Sequence, residues 1–172
     1  MTTAAARQTS RVTQDALRAW NAVYNAADNI IWQLGVYEAA HDGWQFTNIG
    51  GKTVLSFIGE YSRLTGNSVV VEIGCGLGDT CRYLVERFGC RVVGFDMNAA
   101  QIRNAELTRQ RCATPDKLQF VHGSIESPAG LDALASSNGS ADLVYTLDVL
   151  MLVEDPGAAI RSAASLLRKG GR

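Results

Sequence analysis

The segment Val69-Val70-Val71-Glu72-Ile73-Gly74-Cys75-Gly76-Leu77-Gly78-Asp79 limits what this chain can become more than any other. A short, nearly continuous apolar run rich in β-branched residues suits a strand buried on both faces. It is followed by a glycine-rich turn and then by helical patterning from about Asp79 to Phe88, closed by Gly89. Glycine at such a turn lets a ligand approach the backbone where a Cβ would clash.

The same strand-then-helix grammar recurs downstream. Strands are expected at Arg91–Phe95, Leu118–His122 and Asp142–Leu147. Between them, Asn98 with Gln101 three places later has the form of a capping box opening a helix to about Arg111. A weaker helix falls around Leu131 to Ala135, and a last one from about Gly157 to Leu167 stops at Gly170-Gly171. Upstream, Val12, Ala16, Trp20, Val23, Ala27, Ile30 and Leu34 recur at helical spacing, and a second helix is expected from Thr53 to Leu64, stopped by Gly66. Alternating strands and helices mean parallel βαβ units. The fold class is therefore α/β: a Rossmann-like parallel sheet with helices on both faces over residues 67–172, and a helical lid or substrate region over residues 1–66.

Composition narrows the partners. Sixteen Lys and Arg against seventeen Asp and Glu give a net charge of -1 over 172 residues. That balance supplies no field for steering onto nucleic acid or an anionic membrane. No apolar run approaches a membrane span, and the N-terminus lacks the apolar stretch of a signal peptide. Cys75, Cys81, Cys90 and Cys112 match neither a zinc ribbon nor a redox pair, so reduced thiols, no metal and a cytoplasmic location are expected.

Glycine spacing discriminates between ligands. The dinucleotide fingerprint is G-x-G-x-x-G. Here the glycines fall at 74, 76 and 78, and Asp79 stands where the last dinucleotide glycine belongs. An acid at that helix opening competes with a pyrophosphate for the positive helix end. Glu72, at the end of the strand, suits a cationic ligand instead. Asp96 closes the second strand, where an acid can accept hydrogen bonds from both hydroxyls of a ribose.

From Val69 to Gly171 the chain resembles the class I S-adenosylmethionine-dependent methyltransferases. The segments that carry the resemblance are Val71-Glu72-Ile73-Gly74-Cys75-Gly76-Leu77-Gly78, Gly94-Phe95-Asp96-Met97, Val121-His122-Gly123-Ser124-Ile125-Glu126, Ala141-Asp142-Leu143-Val144-Tyr145 and Leu166-Leu167-Arg168-Lys169-Gly170-Gly171. The resemblance implies S-adenosylmethionine as cofactor. It assigns Gly74, Gly76 and Gly78 to the methionine end, with Glu72 reaching the ammonium through a water or a neighbour. Asp96 would hold the ribose and Met97 one face of the adenine. Ser124 and Ile125 would meet the adenine edge and opposite face, and Leu147 would offer its backbone to the methionine. Many relatives carry aspartate at the Ser124 position; serine accepts the adenine amino group without charge.

The activated methyl group asks mainly for an acceptor held in line and for exclusion of water. A base is needed only where the acceptor must lose a proton. After the fourth strand, Thr146-Leu147-Asp148-Val149-Leu150-Met151-Leu152 lacks the Asn/Asp-Pro-Pro-aromatic signature of amino-group methylation, and Leu152 stands where many small-molecule relatives place histidine. Asp148 is the candidate base or anion, with helix capping as the alternative role. His41 is a secondary candidate, because His41-Asp42-Gly43-Trp44 resembles the His-x-Gly-aromatic loop of bacterial natural-product and tocopherol-type methyltransferases. Trp20, Tyr24, Trp32, Tyr37, Trp44 and Phe46 line the same region and favour an apolar acceptor if they form a pocket rather than core.

The family sheet continues beyond the position of Arg172, which leaves the fourth strand as an apolar edge. Either the chain is a fragment, or another subunit covers that edge through the N-terminal helices. Three functions follow: methyl transfer to a small, largely apolar metabolite by C- or O-methylation; a silent S-adenosylmethionine-binding or scaffold module; and an NAD-dependent oxidoreductase, which Asp79 disfavours.

Overall fold

A computed structural model describes residues 38–39, 41, 43–48, 50–127 and 139–172. The helices expected from Val12 to Leu34 and around Leu131 to Ala135 lie outside the described residues. Elements in chain order are α1 (Gly51–Tyr61), β1 (Val69–Ile73), α2 (Asp79–Phe88), β2 (Arg91–Asp96), α3 (Ala99–Gln110), β3 (Leu118–His122), β4 (Leu143–Thr146) and α4 (Pro156–Leu166). Short 3-10 turns at Pro115–Lys117 and Leu150–Leu152 join them.

The four strands form one parallel sheet in the order β3-β2-β1-β4. From β1 the chain works outward through β2 and β3, then returns to the opposite side of β1 as β4. Loops leaving β1 and β4 therefore diverge, which opens a crevice at the carboxyl ends of these strands. Register places Ile73 beside both Phe95 and Thr146 at that end.

Strand alternation divides the core into two layers. Val70 packs on one face with Leu55 of α1, Leu84 and Val85 of α2, and Ala105 of α3. Val71 and Ile73 face the other layer with Phe95, Ala159 and Leu166. All four cysteines are buried and free. Among the described residues no helix is long and apolar enough to cross a membrane.

Several boundaries differ from those expected, each for a local reason. Helix α1 ends at Tyr61, before Gly66, because Arg63 adopts a left-handed φ of 55°. The Arg63 N–H donates to the Glu60 carbonyl at 3.0 Å and the Leu64 N–H to the Gly59 carbonyl at 2.9 Å. This is the doubly bonded helix stop usually built on glycine, with buried Leu64 supplying the apolar contact after it. The capping box on α3 is only half made. Asn98 Oδ1 accepts from the Ala100 and Gln101 N–H groups at 2.8 and 3.4 Å. The reciprocal bond from the Gln101 side chain is missing, because the Asn98 N–H donates to Asp96 Oδ1 at 2.8 Å. Strand β4 is shorter than expected, ending at Thr146, whose Oγ1 donates to the Ile73 carbonyl at 2.9 Å. Its outer edge is met by a bridge from Ala141 to Leu167, and by Arg172 bonding to Asp142 and Val144.

Glu72 shares its strand face with Val70, so alternation sends its carboxylate under the sheet toward α2. It is only 2% exposed. Its Oε2 accepts from Thr80 Oγ1 at 2.6 Å and from Cys81 Sγ at 2.8 Å. Burial pushes the carboxyl above the ordinary glutamate range, against the two side-chain bonds that favour its charged form.

Two consequences are measurable. Arg63→Gly removes a left-handed penalty at an exposed position and is expected to stabilise the fold by about 0.5–1 kcal/mol in urea unfolding; a loss of stability would mean that Arg63 makes a compensating contact. For Glu72, the folded chain holds the proton more tightly than the unfolded chain. Stability from this group is therefore lost as pH rises from the ordinary glutamate value through the raised folded one. Glu72→Gln is expected to match wild type near pH 4 and to exceed it progressively toward pH 8. A pH-independent difference would show that Glu72 keeps an ordinary proton affinity.

Candidate functional site

The glycine turn is pinned before it is shaped. Both the Gly74 and Cys75 N–H groups donate to the Phe95 carbonyl, at 2.7 and 3.1 Å, and the Gly76 N–H donates to Asp96 Oδ2 at 3.0 Å. Gly74, with φ 78°, lies against Val149, and a Cβ there would run into the Val149 side chain. Gly78, with φ 81°, opens α2 and faces Phe120 and Ala105, where a Cβ would collide with both. The first glycine thus seats the loop after β4, and the third allows close packing of helix and sheet.

A cavity of about 360 Å³ opens at the carboxyl ends of β1, β2 and β4. Of the residues expected at a nucleotide site, Gly74, Gly76, Asp96, Met97, Ser124, Ile125 and Leu147 line it, and so does Asp148. Glu72 and Gly78 do not. Glu72 lies behind the turn in the α2 layer, and Gly78 is spent on packing. His41 is also away from the wall: its ring meets Phe46 edge-on at 5.6 Å and lies beside Gly51.

Asp96 is the best-defined polar group of the cavity. Its Oδ1 accepts the Asn98 N–H at 2.8 Å and its Oδ2 the Gly76 N–H at 3.0 Å. Each oxygen keeps a further lone pair for a ligand. Burial raises the carboxyl above the usual aspartate range, while these two backbone bonds and the His122 charge pull the other way. His122 also bonds through Nε2 to the Met97 carbonyl at 3.1 Å, which fixes the residue next to Asp96.

The far wall is the loop after β4. Asp148 takes a left-handed φ of 57°, a conformation that aspartate tolerates better than most residues. The chain turns there so that Val149 reaches Gly74, and Met151, Leu152 and Val153 continue the apolar lining. Glu126 ties this loop to the one after β3, because its Oε1 accepts the Glu154 and Asp155 N–H groups at 2.8 and 3.0 Å.

Among the other lining residues, Thr47 and Asn48 had no role in the sequence reading, and Asn98 and Gln101 had only that of a helix cap. Thr47 and Asn48 arrive through Asp79. That buried carboxylate accepts the Gln45 N–H at 2.5 Å and the Arg82 Nε–H at 2.9 Å, and so holds the upstream segment against α2. Nothing in the local pattern around Asp79 signals this partner, since Gln45 is 34 residues away. Gln101 carried a signal, the capping box, but it pointed to another role.

Comparison with known proteins gives the family. The model of the methyltransferase domain family matches residues 71–172. A ubiquinone biosynthesis O-methyltransferase from Albidiferax ferrireducens is 32% identical over 117 residues, covering 68% of this chain and 43% of that protein. A sarcosine/dimethylglycine N-methyltransferase from Halorhodospira halochloris is 28% identical over 173 residues, covering 94% of this chain and 59% of that protein. The chain thus spans about half the length of the curated relatives it matches. Among solved structures, an S-adenosylmethionine-dependent methyltransferase from Thiobacillus denitrificans in complex with S-adenosyl-L-homocysteine superposes with a TM-score of 0.62. It is 19% identical, with 79% of this chain and 51% of that one covered, a likeness that speaks to the fold alone. With the family match running from Val71 to Arg172 across the glycine turn, Asp96 and the loop after β4, the chain belongs to the class I S-adenosylmethionine-dependent methyltransferases.

Proposed function

We propose that the cavity binds S-adenosylmethionine and that the protein transfers its methyl group to a small, largely apolar acceptor by C- or O-methylation. The observation that carries this reading is Asp96, whose carboxylate is aimed by two backbone N–H groups and keeps lone pairs for two vicinal hydroxyls. Around it, Gly74, Gly76 and the Leu147 backbone accommodate the amino-acid end, and Met97 and Ile125 cover the faces of the adenine. Ser124 meets its edge. The bound sulfonium supplies an already activated methyl group, so the protein has to align the acceptor and keep water out.

The acceptor class rests on the wall opposite Asp96. Leu147, Val149, Met151, Leu152 and Val153 face the cavity, and Met151 is exposed at its rim. An adjoining hollow of about 260 Å³ between β4 and α4 shares Ile73, Ile125, Val149 and Val153 with the main cavity and is lined almost wholly by apolar residues. An apolar metabolite of natural-product type fits such a lining better than a sugar. Asp148 is the acid that the loop after β4 brings to the main cavity. It would take the acceptor proton in O-methylation, or steady a cationic intermediate in C-methylation. His41, away from the wall, is the weaker of the two catalytic candidates.

Calorimetry with S-adenosylhomocysteine tests the site. Micromolar binding is expected, and Asp96→Ala should weaken it by about 3 kcal/mol, roughly 100-fold, because hydrogen bonds to a charged acceptor are removed. Binding should also fall on acidification through the raised Asp96 value, at higher pH than for an ordinary aspartate, since protonation removes the charged acceptor. No binding, or binding indifferent to Asp96, would reject the reading. With an acceptor in hand, Asp148→Asn is expected to slow turnover by roughly 100-fold or more while leaving cofactor affinity unchanged. Unchanged turnover would take Asp148 out of the mechanism, and binding with no turnover on any acceptor would favour the silent module.

A further inference from the structure

We infer that Glu126 is a positioning residue for methyl transfer: it fastens the acceptor wall after β4 to the loop after β3, so that an occupied cofactor site orders the acceptor side. Glu126 borders the cavity but spends one carboxylate oxygen on the protein. Its Oε1 accepts the Glu154 N–H at 2.8 Å and the Asp155 N–H at 3.0 Å, from residues 28 and 29 positions away. Both donors follow directly on Met151, Leu152 and Val153, the apolar residues of the wall. They also lead into α4, where Asp155 is the N-cap and its Oδ1 accepts the Ala158 N–H at 2.9 Å. The wall thus ends at Glu126 and passes straight into a capped helix.

The wall is a short bridge held at its two ends. At one end Val149 lies against Gly74, and its carbonyl accepts the Leu152 N–H at 2.8 Å. At the other stands Glu126. Between them Met151 is 75% exposed, so packing does little to fix the middle. Glu126 in turn belongs to the tight turn that carries Ser124 and Ile125. Its own N–H donates to Ser124 Oγ at 3.2 Å, and the Ser127 N–H and hydroxyl donate to the Ser124 carbonyl at 3.1 and 3.2 Å. A ligand that immobilises Ser124 and Ile125 therefore immobilises the backbone of Glu126, and with it the acceptor of the two N–H groups across the cavity. The coupling is reciprocal: a molecule seated on the wall steadies the loop after β3 by the same factor. This inference rests on the cofactor reading above, in which Ser124 and Ile125 meet the adenine.

Amide hydrogen exchange of the whole chain, read by NMR with and without saturating S-adenosylhomocysteine, tests this without an acceptor. In the wild type the ligand is expected to slow exchange at Leu152, Glu154 and Asp155 by about 10-fold. Glu126→Gln keeps a carbonyl oxygen able to accept both N–H groups and should preserve the effect. Glu126→Ala removes the acceptor, so the ligand should leave those amides unchanged while still slowing the Gly76 amide, which bonds to Asp96. The Gly76 amide thus reports an occupied site in every variant. Glu126→Met repeats the comparison should the alanine variant misfold. Equal slowing at Leu152, Glu154 and Asp155 in wild type and Glu126→Ala would overturn the inference. Loss of the effect in Glu126→Gln as well would show that the two hydrogen bonds do not carry it, and would overturn it too. Failure of the wild-type protein to bind S-adenosylhomocysteine would reject the cofactor reading itself, whereas bound ligand with an unmoved wall would reject this inference alone.

Discussion

The Phe95 carbonyl and the Asp96 carboxylate, consecutive groups at the end of β2, hold the whole glycine turn. Three successive N–H groups, from Gly74, Cys75 and Gly76, converge on them. A backbone turn bent away from strand geometry has donors that its own ladder cannot satisfy, and leaving them unpaired in a buried setting would be costly. Here the neighbouring strand takes all three. The same contact that closes the turn therefore fixes the rotamer of the acid beside the cavity, and site geometry follows from satisfying the backbone.

From that junction the rest of the cavity is assembled by packing. Because Gly74 lacks a Cβ, Val149 can lie against the turn, and the left-handed Asp148 delivers it there. Because Gly78 lacks one, Phe120 and α3 approach closely enough to bring the first turn of α3 to the rim. Glu126 then joins the loops after β3 and β4. Each wall is held by a contact to an element distant in sequence.

The acids of the motif divide their work by depth. Glu72 and Asp79 are buried and spoken for, one by Thr80 and Cys81, the other by Gln45 and Arg82. Among the described residues, Asp96, Glu126 and Asp148 are the acids that border the cavity itself. The positions implied by the resemblance therefore carry over to this chain unevenly: Asp96 lines the cavity, while Glu72 lies behind the turn in the α2 layer.

The sheet and its order of elements were legible in the sequence, because a buried parallel strand needs a continuous apolar run and a crossover helix needs 3.6-residue periodicity. Both are local patterns, visible at Val69–Ile73 and at Asp79–Phe88. Gly74, Gly76 and Asp96 were legible too, since a positive φ and a strand-end acid are properties of single positions. Tertiary structure alone decided the side-chain directions and the partners. That Glu72 turns inward depends on which sheet face meets α2. That Asp79 binds Gln45 depends on a contact across 34 residues. The stop at Arg63 was hidden because tertiary burial of Leu64 can hold a non-glycine residue in the left-handed region. Gln101 marks the boundary between the two: its spacing from Asn98 was correctly seen as a cap, but the competition for one N–H was settled by Asp96, which no local pattern includes.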